Sequence, residues 1–135
     1  MNRFILVLIT SLIVSSCSVR NYDGGGIVID YMADIEYSDS NNQEIRIEGD
    51  CASACTMKLG AKKVCIYPDA TLYFHEAFVP RTGLRSDIAS YFLYDKYPPK
   101  IKQWVNKKNA LGSRIFTVMS GKEAISLGIN ECKGK

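Results

Sequence analysis

Residues 44–77 read EIRIEGDCASACTMKLGAKKVCIYPDATLYFHEA. Ile45 and Ile47 alternate with charged neighbours over residues 44–48, the period of a half-covered strand, and Gly49 ends the run. Cys51-Ala52-Ser53-Ala54-Cys55 then opens a helical stretch over residues 53–59, which Gly60 can stop from the position just past the helix end. A second β-like run over 64–67 turns at Pro68-Asp69 into a third over 71–75. Short strands interleaved with helices give an α/β fold class. Ser53 lies 22 residues before His75, the single histidine of the chain, and one strand–turn–strand excursion is enough to bring them side by side. A serine at a helix N-terminus facing an imidazole can become a nucleophile, and the unpaired N–H groups of that terminus can hold an oxyanion. Each residue also has a plainer reading. Ser53 would serve as a helix N-cap, and His75 as a structural histidine at a strand end.

The flanks extend this pattern. Asn21-Tyr22-Asp23 leads into Gly24-Gly25-Gly26, where the backbone can turn sharply and approach a ligand closely. Ile27, Val28, Tyr31, Met32 and Ile35 recur at helical spacing, predicting a helix over 27–35, and the polar run 38–42 predicts a loop. Leu84, Ile88, Tyr91 and Phe92 predict a helix over 83–94 that ends before Pro98-Pro99. Ile101, Trp104 and Val105 predict another over 100–110, with Trp104 in the core and Lys100, Lys102, Lys107 and Lys108 on a solvated face. Ser120-Gly121-Lys122-Glu123 has the capping-box pattern before Ala124 and a stopping Gly128, and residues 129–132 read as a last strand.

Composition sets the class. A chain of 135 residues with 47% apolar content makes one small domain with its own core, and a formal charge of +3 is too slight to point to nucleic acid. Residues 1–16 read as a leader: Met1-Asn2-Arg3 is a short positive region, and the apolar run over 4–14 is too short to span a bilayer as a mature helix. Val14-Ser15-Ser16-Cys17 resembles the lipobox of bacterial lipoproteins, which implies lipidation of Cys17, a membrane anchor and a location in the cell envelope, facing the periplasm. Ser18 leans towards the outer membrane by the sorting rule of such lipoproteins. The organisation expected is a signal peptide over 1–16, a short linker over 17–23 and a domain over 24–135. Of the five cysteines, setting Cys17 aside for lipid leaves Cys51, Cys55, Cys65 and Cys132, an even set that suits disulfides in an oxidising compartment. Four cysteines allow three pairings, and spacing does not choose among them. A zinc site built from these thiols with His75 is disfavoured by the unusual spacing and the single histidine, so no metal is expected.

Four of these motifs, in this order, resemble the ClpP/crotonase superfamily, and in particular small secreted bacterial relatives with a Cys-x-Ser-Ala-Cys segment. Gly49-Asp50-Cys51-Ala52-Ser53-Ala54 resembles the Gly-x-x-Ala-Ser-small run that carries the family's nucleophile. Gly60-Ala61-Lys62, Pro68-Asp69-Ala70 and Phe74-His75-Glu76-Ala77 resemble its approach to the general base. Asn21-Tyr22-Asp23-Gly24-Gly25 is similar to its oxyanion loop, and Met119-Ser120-Gly121-Lys122-Glu123-Ala124 through Leu127-Gly128-Ile129 to its closing helix. The resemblance implies a minimal ClpP/crotonase-like core, truncated at the N-terminus. It also implies a serine hydrolase, a peptidase by preference, with Ser53 as nucleophile, His75 as base, and Gly25 and Ala54 N–H groups as the oxyanion hole. It needs no cofactor and implies a peptide substrate. Oligomeric state is left open, since ring formation in Clp-type relatives does not carry over to a shortened chain.

The family's orienting aspartate would fall near Gly112-Ser113-Arg114, where no carboxylate stands. Asp87, Asp95, Asn106 and Asn109 are the substitutes on offer, while Glu76, next to His75 on a strand, should face the other way. A dyad, an asparagine-assisted site and an inactive scaffold used for binding all remain open.

Overall fold

The computed structural model describes residues 20–134, so the leader and Cys17 lie outside the described residues. The fold is α/β, built on two small sheets. The first has strand order β1 (Tyr22–Asp23), β3 (Asp50–Ala52), β5 (Thr71–Phe74), β6 (Thr117–Ser120). Its first three strands are parallel, and β6 runs antiparallel to β5 with Leu72 opposite Met119. The second sheet is parallel throughout, in the order β2 (Ile45–Ile47), β4 (Val64–Ile66), β7 (Asn130–Glu131). The chain passes twice from the second sheet to the first, through residues 48–49 and 67–70. Within 44–77 it therefore builds both sheets at once.

β3 is an element that the sequence pattern does not reveal. Asp-Cys-Ala has no alternation, yet Cys51 sits opposite Leu72 and supplies the centre of the first sheet. β1 likewise falls inside the expected linker, because Arg20 ties that lead to Asp50 and to the Thr71 hydroxyl at 2.6 Å. β6 is a further strand beyond those expected. The first helix, α1 (Val28–Ser40), runs through the first part of the expected 38–42 loop, and the second, α2 (Asp87–Lys96), begins later than expected because Ser86 caps it by accepting from Ala89 N–H. In α3 (Pro99–Lys108), Pro99 takes the first turn, where its absent N–H costs nothing. α4 (Gly121–Ser126) is capped by Ser120, which accepts from Glu123 N–H, but the Glu123 carboxylate turns to Trp104 Nε1 at 2.8 Å instead of closing the box.

The core lies between the first sheet and the helices. Leu72, Phe74 and Met119 are fully buried, and the Phe74 ring meets Tyr97 and Trp104 with centroids 5.6 and 5.2 Å away. Trp104 thus belongs to the core, as its spacing indicates. Two disulfides join Cys51 to Cys55 and Cys65 to Cys132, which selects one of the three pairings. The second pins the segment after β7 onto β4.

Candidate active site

Parallel strands β1, β3 and β5 all deliver their C-terminal ends to one place. The glycine run 24–26 leaves the end of β1, Ser53 the end of β3 and His75 the end of β5. The ends of parallel strands are where open α/β sheets place ligand sites. Here the three segments line one solvent-open cleft of about 750 Å³, lined otherwise mainly by apolar side chains that include Ile27, Ile29, Phe78, Val79, Ile88 and Phe116. Its polar side chains are Ser53, His75, Ser86 and Arg114.

Ser53 stands at the first position of a 3₁₀ helix, Ser53–Gly60, and it is not the cap. That place belongs to Ala52, in extended backbone, and no side chain caps the helix. Ser53 itself has φ +55°, a left-handed conformation that is uncommon for serine and costs about 1–2 kcal/mol. The chain thus turns from strand to helix within one residue, and Ser53, which does not cap the helix, lines the cavity. Three features hold this turn. The Ser53 carbonyl accepts from Thr56 Oγ at 2.7 Å, and Thr56, having spent its proton there, accepts from Tyr97 Oη at 2.6 Å. Burial pushes the Tyr97 hydroxyl well above its ordinary pKa, the Thr56 bond opposing this, so Tyr97 stays a donor. Gly25, at φ +79°, packs directly on the turn; a Cβ there would lie 2.5 Å from the Ala52 carbonyl and 2.8 Å from Ser53 Cβ. Finally, the Cys51–Cys55 bridge spans it.

The glycine run is held by Asp23. Its carboxylate accepts from Gly25 N–H at 3.1 Å and from the Tyr31 hydroxyl, and it pairs with Lys58 Nζ at 2.7 Å. Burial raises the Asp23 pKa, but the bonds from Lys58, Tyr31 and Gly25 and the Lys58 charge outweigh it, leaving the carboxyl below its ordinary value. Burial, then the Asp23 bond and charge, hold the Tyr31 hydroxyl well above its own. One expectation is thereby corrected: Gly25 N–H points to Asp23 and is not free to receive an oxyanion. Ala54 lies fully buried in the first turn of the 3₁₀ helix, and the Gly25 Cβ position would lie 3.0 Å from its N–H nitrogen. A second correction concerns Gly60, which does not stand past the helix end in a left-handed conformation. It is the last helical residue, and its lack of a side chain lets the Lys96 carbonyl approach to where a Cβ would be only 1.8 Å away.

His75 comes directly after β5 and is 7% exposed. Its ring packs against Phe116, edge-on at 5.1 Å, and against Phe78 at 5.9 Å. Among the described residues, no hydrogen bond joins it to Ser53, and no carboxylate or asparagine lines the cavity. Glu76 faces away as expected, its carboxylate held by Arg85 at 3.2 Å and Arg114 at 3.6 Å. The four substitute orienting residues are engaged elsewhere. Asp87 pairs with Arg85, Asp95 lies 4.0 Å from Lys102, Asn106 donates to Tyr94 Oη, and Asn109 is the left-handed end of α3. Asp87, Asn106 and Asn109 line a separate groove between α2 and α3. The asparagine-assisted site is therefore set aside. The residues that sequence reasoning misses are Asp23, which the Asp-Gly-Gly turn signal could have flagged, and Thr56, Tyr97, Phe78 and Phe116, for which no local pattern exists.

No family model, curated protein or solved structure matches this chain.

Proposed function

We propose that the chain is a serine hydrolase of the ClpP/crotonase kind, acting on peptide or related acyl substrates in the cell envelope. The observation that carries this reading is the left-handed Ser53, uncapped and turned onto the same apolar cavity as His75. Non-glycine residues held in such backbone conformations cluster at functional sites. A strand-to-helix turn with a strained serine is how nucleophile elbows expose their hydroxyl.

In this reading Ser53 Oγ attacks the substrate carbonyl and passes its proton to His75, which then donates it to the leaving group. The tetrahedral oxyanion takes a hydrogen bond from Ala54 N–H. Water, deprotonated by His75, then attacks the acyl-enzyme carbonyl, and His75 returns the proton to Ser53 Oγ as the acid is released. With the His75 ring packed against Phe78 and Phe116 and no carboxylate among the described residues lining the cavity, the site works as a dyad. Fluorogenic peptide amides and p-nitrophenyl esters with apolar acyl groups test the proposal. Turnover that disappears in Ser53→Ala supports it, and full turnover in a folded Ser53→Ala protein overturns it.

The second reading is a binding module on the same scaffold, favoured by the lack, among the described residues, of a carboxylate lining the cavity with His75. It expects apolar peptides to bind the cavity equally well in a folded Ser53→Ala/His75→Ala protein.

A further inference from the structure

We infer that the Cys51–Cys55 disulfide is a positioning device for the nucleophile, holding Ser53 in the left-handed turn that exposes its hydroxyl; this rests on the hydrolase reading above. The bridge encloses only Ala52, Ser53 and Ala54. In an extended chain, residues four apart stand about 13 Å from one another. Here their Cα atoms are 5.4 Å apart, within the range a disulfide requires. The bridge thus closes a ring whose apex is Ser53. Both ends of the ring are fixed from outside it. Cys51 is locked in β3 opposite Leu72 and is 1% exposed; Cys55, in the first turn of the 3₁₀ helix, is 2% exposed.

Ala52 already has extended backbone, at φ −115° and ψ 152°, and Ala54 is already helical, so the whole change of direction falls on Ser53. Without the bridge the first helical turn can slide along the strand end and let Ser53 relax to an ordinary conformation, carrying its hydroxyl off the cavity wall. The Thr56 bond restrains the Ser53 carbonyl, on the helical side of the turn, and leaves the strand side to the bridge. Gly25 presses on the turn but carries no side chain to anchor it. The other bridge, Cys65–Cys132, joins β4 to the segment after β7, and neither of its cysteines lines the cavity.

The test uses the full chain produced in an oxidising compartment. The rate at which a fluorophosphonate labels Ser53 is measured in wild type, Cys51→Ala/Cys55→Ala and Cys65→Ala/Cys132→Ala, each below its own Tm. The proposal expects labelling to fall about 100-fold in the first variant, the loss a displacement of about 1 Å can cause, and to stay within about two-fold in the second. Equal labelling of folded Cys51→Ala/Cys55→Ala and wild type overturns the positioning role while leaving the hydrolase reading intact. Absence of labelling on folded wild type overturns both. If Cys51→Ala/Cys55→Ala does not fold, the wild type is titrated with a phosphine reductant, with the Cys51 and Cys55 thiols, labelling and near-UV circular dichroism followed together. Labelling lost as these thiols appear while the dichroism stays native supports the proposal, and labelling that persists with both thiols free, or that falls only in step with the dichroism, contradicts it.

Discussion

The Ser53 and His75 sides of the cavity are built differently. On one side, Ser53 is set by backbone: a left-handed residue between strand and helix, a glycine against its Cβ, a hydrogen-bonded carbonyl and a covalent ring around it. On the other, His75 is set by packing against the Phe78 and Phe116 rings. The difference teaches that the serine is located by covalent and close-packed constraints that tolerate little change. The imidazole depends on contacts that yield more gradually. Substitutions at the Ser53 end should therefore act on reactivity steeply, and those at the His75 end mildly.

The largest effect on stability is expected at neither end. The Cys65–Cys132 bridge closes a loop between residues 67 apart, worth about 4 kcal/mol in chain entropy against about 2 kcal/mol for the short Cys51–Cys55 loop. Denaturant unfolding of Cys65→Ala/Cys132→Ala should show that larger loss. A smaller loss than in Cys51→Ala/Cys55→Ala would mean that the short ring stabilises the fold through more than loop closure. Next comes Gly25→Ala, whose Cβ has no room and whose φ of +79° disfavours a side chain. Labelling of Ser53 should fall about 100-fold, and an unchanged rate would break the claim that the serine end is tightly set. Phe116→Ala removes one wall of the His75 slot, from a residue half-exposed itself. Labelling should fall about ten-fold, or about 1.4 kcal/mol, with little change in Tm. A fall as steep as that of Gly25→Ala would erase the contrast between the two ends.

The smallest effect concerns Asp23, which holds the glycine run. Its carboxyl has a folded pKa below the ordinary value, so its contribution to stability is complete above about pH 4 and is lost as pH falls through the folded value. Asp23→Asn should be less stable than wild type at neutral pH, and the gap should close in acid. A gap that stays constant in urea melts between pH 7 and pH 2 would contradict this assignment.

Much of the fold is legible in the sequence, for identifiable reasons. The strands around Ile45 and Ile47 and around Leu72 and Phe74 alternate, so their period reports their burial. The buried face of α3 shows in Ile101, Trp104 and Val105. β3 does not show, because a three-residue strand paired on both edges takes its identity from its neighbours β1 and β5. That Ser53 and His75 share one cavity follows from chain order, but the left-handed turn does not, since Gly25, which packs on it, comes from a segment distant in sequence. The commitment of Gly25 N–H to Asp23 is hidden for the same reason. It depends on Lys58, which arrives from another element.

The central claim is that Ser53 is a nucleophile made reactive by His75. Intact mass after treatment with a fluorophosphonate, run beside Ser53→Ala and His75→Ala, tests it most directly. A single adduct is expected on the wild type, none on Ser53→Ala, and labelling at least about 100-fold slower on His75→Ala, the lower range of a general base's contribution. An adduct that persists on Ser53→Ala, or none on a folded wild type with both disulfides formed, would contradict it.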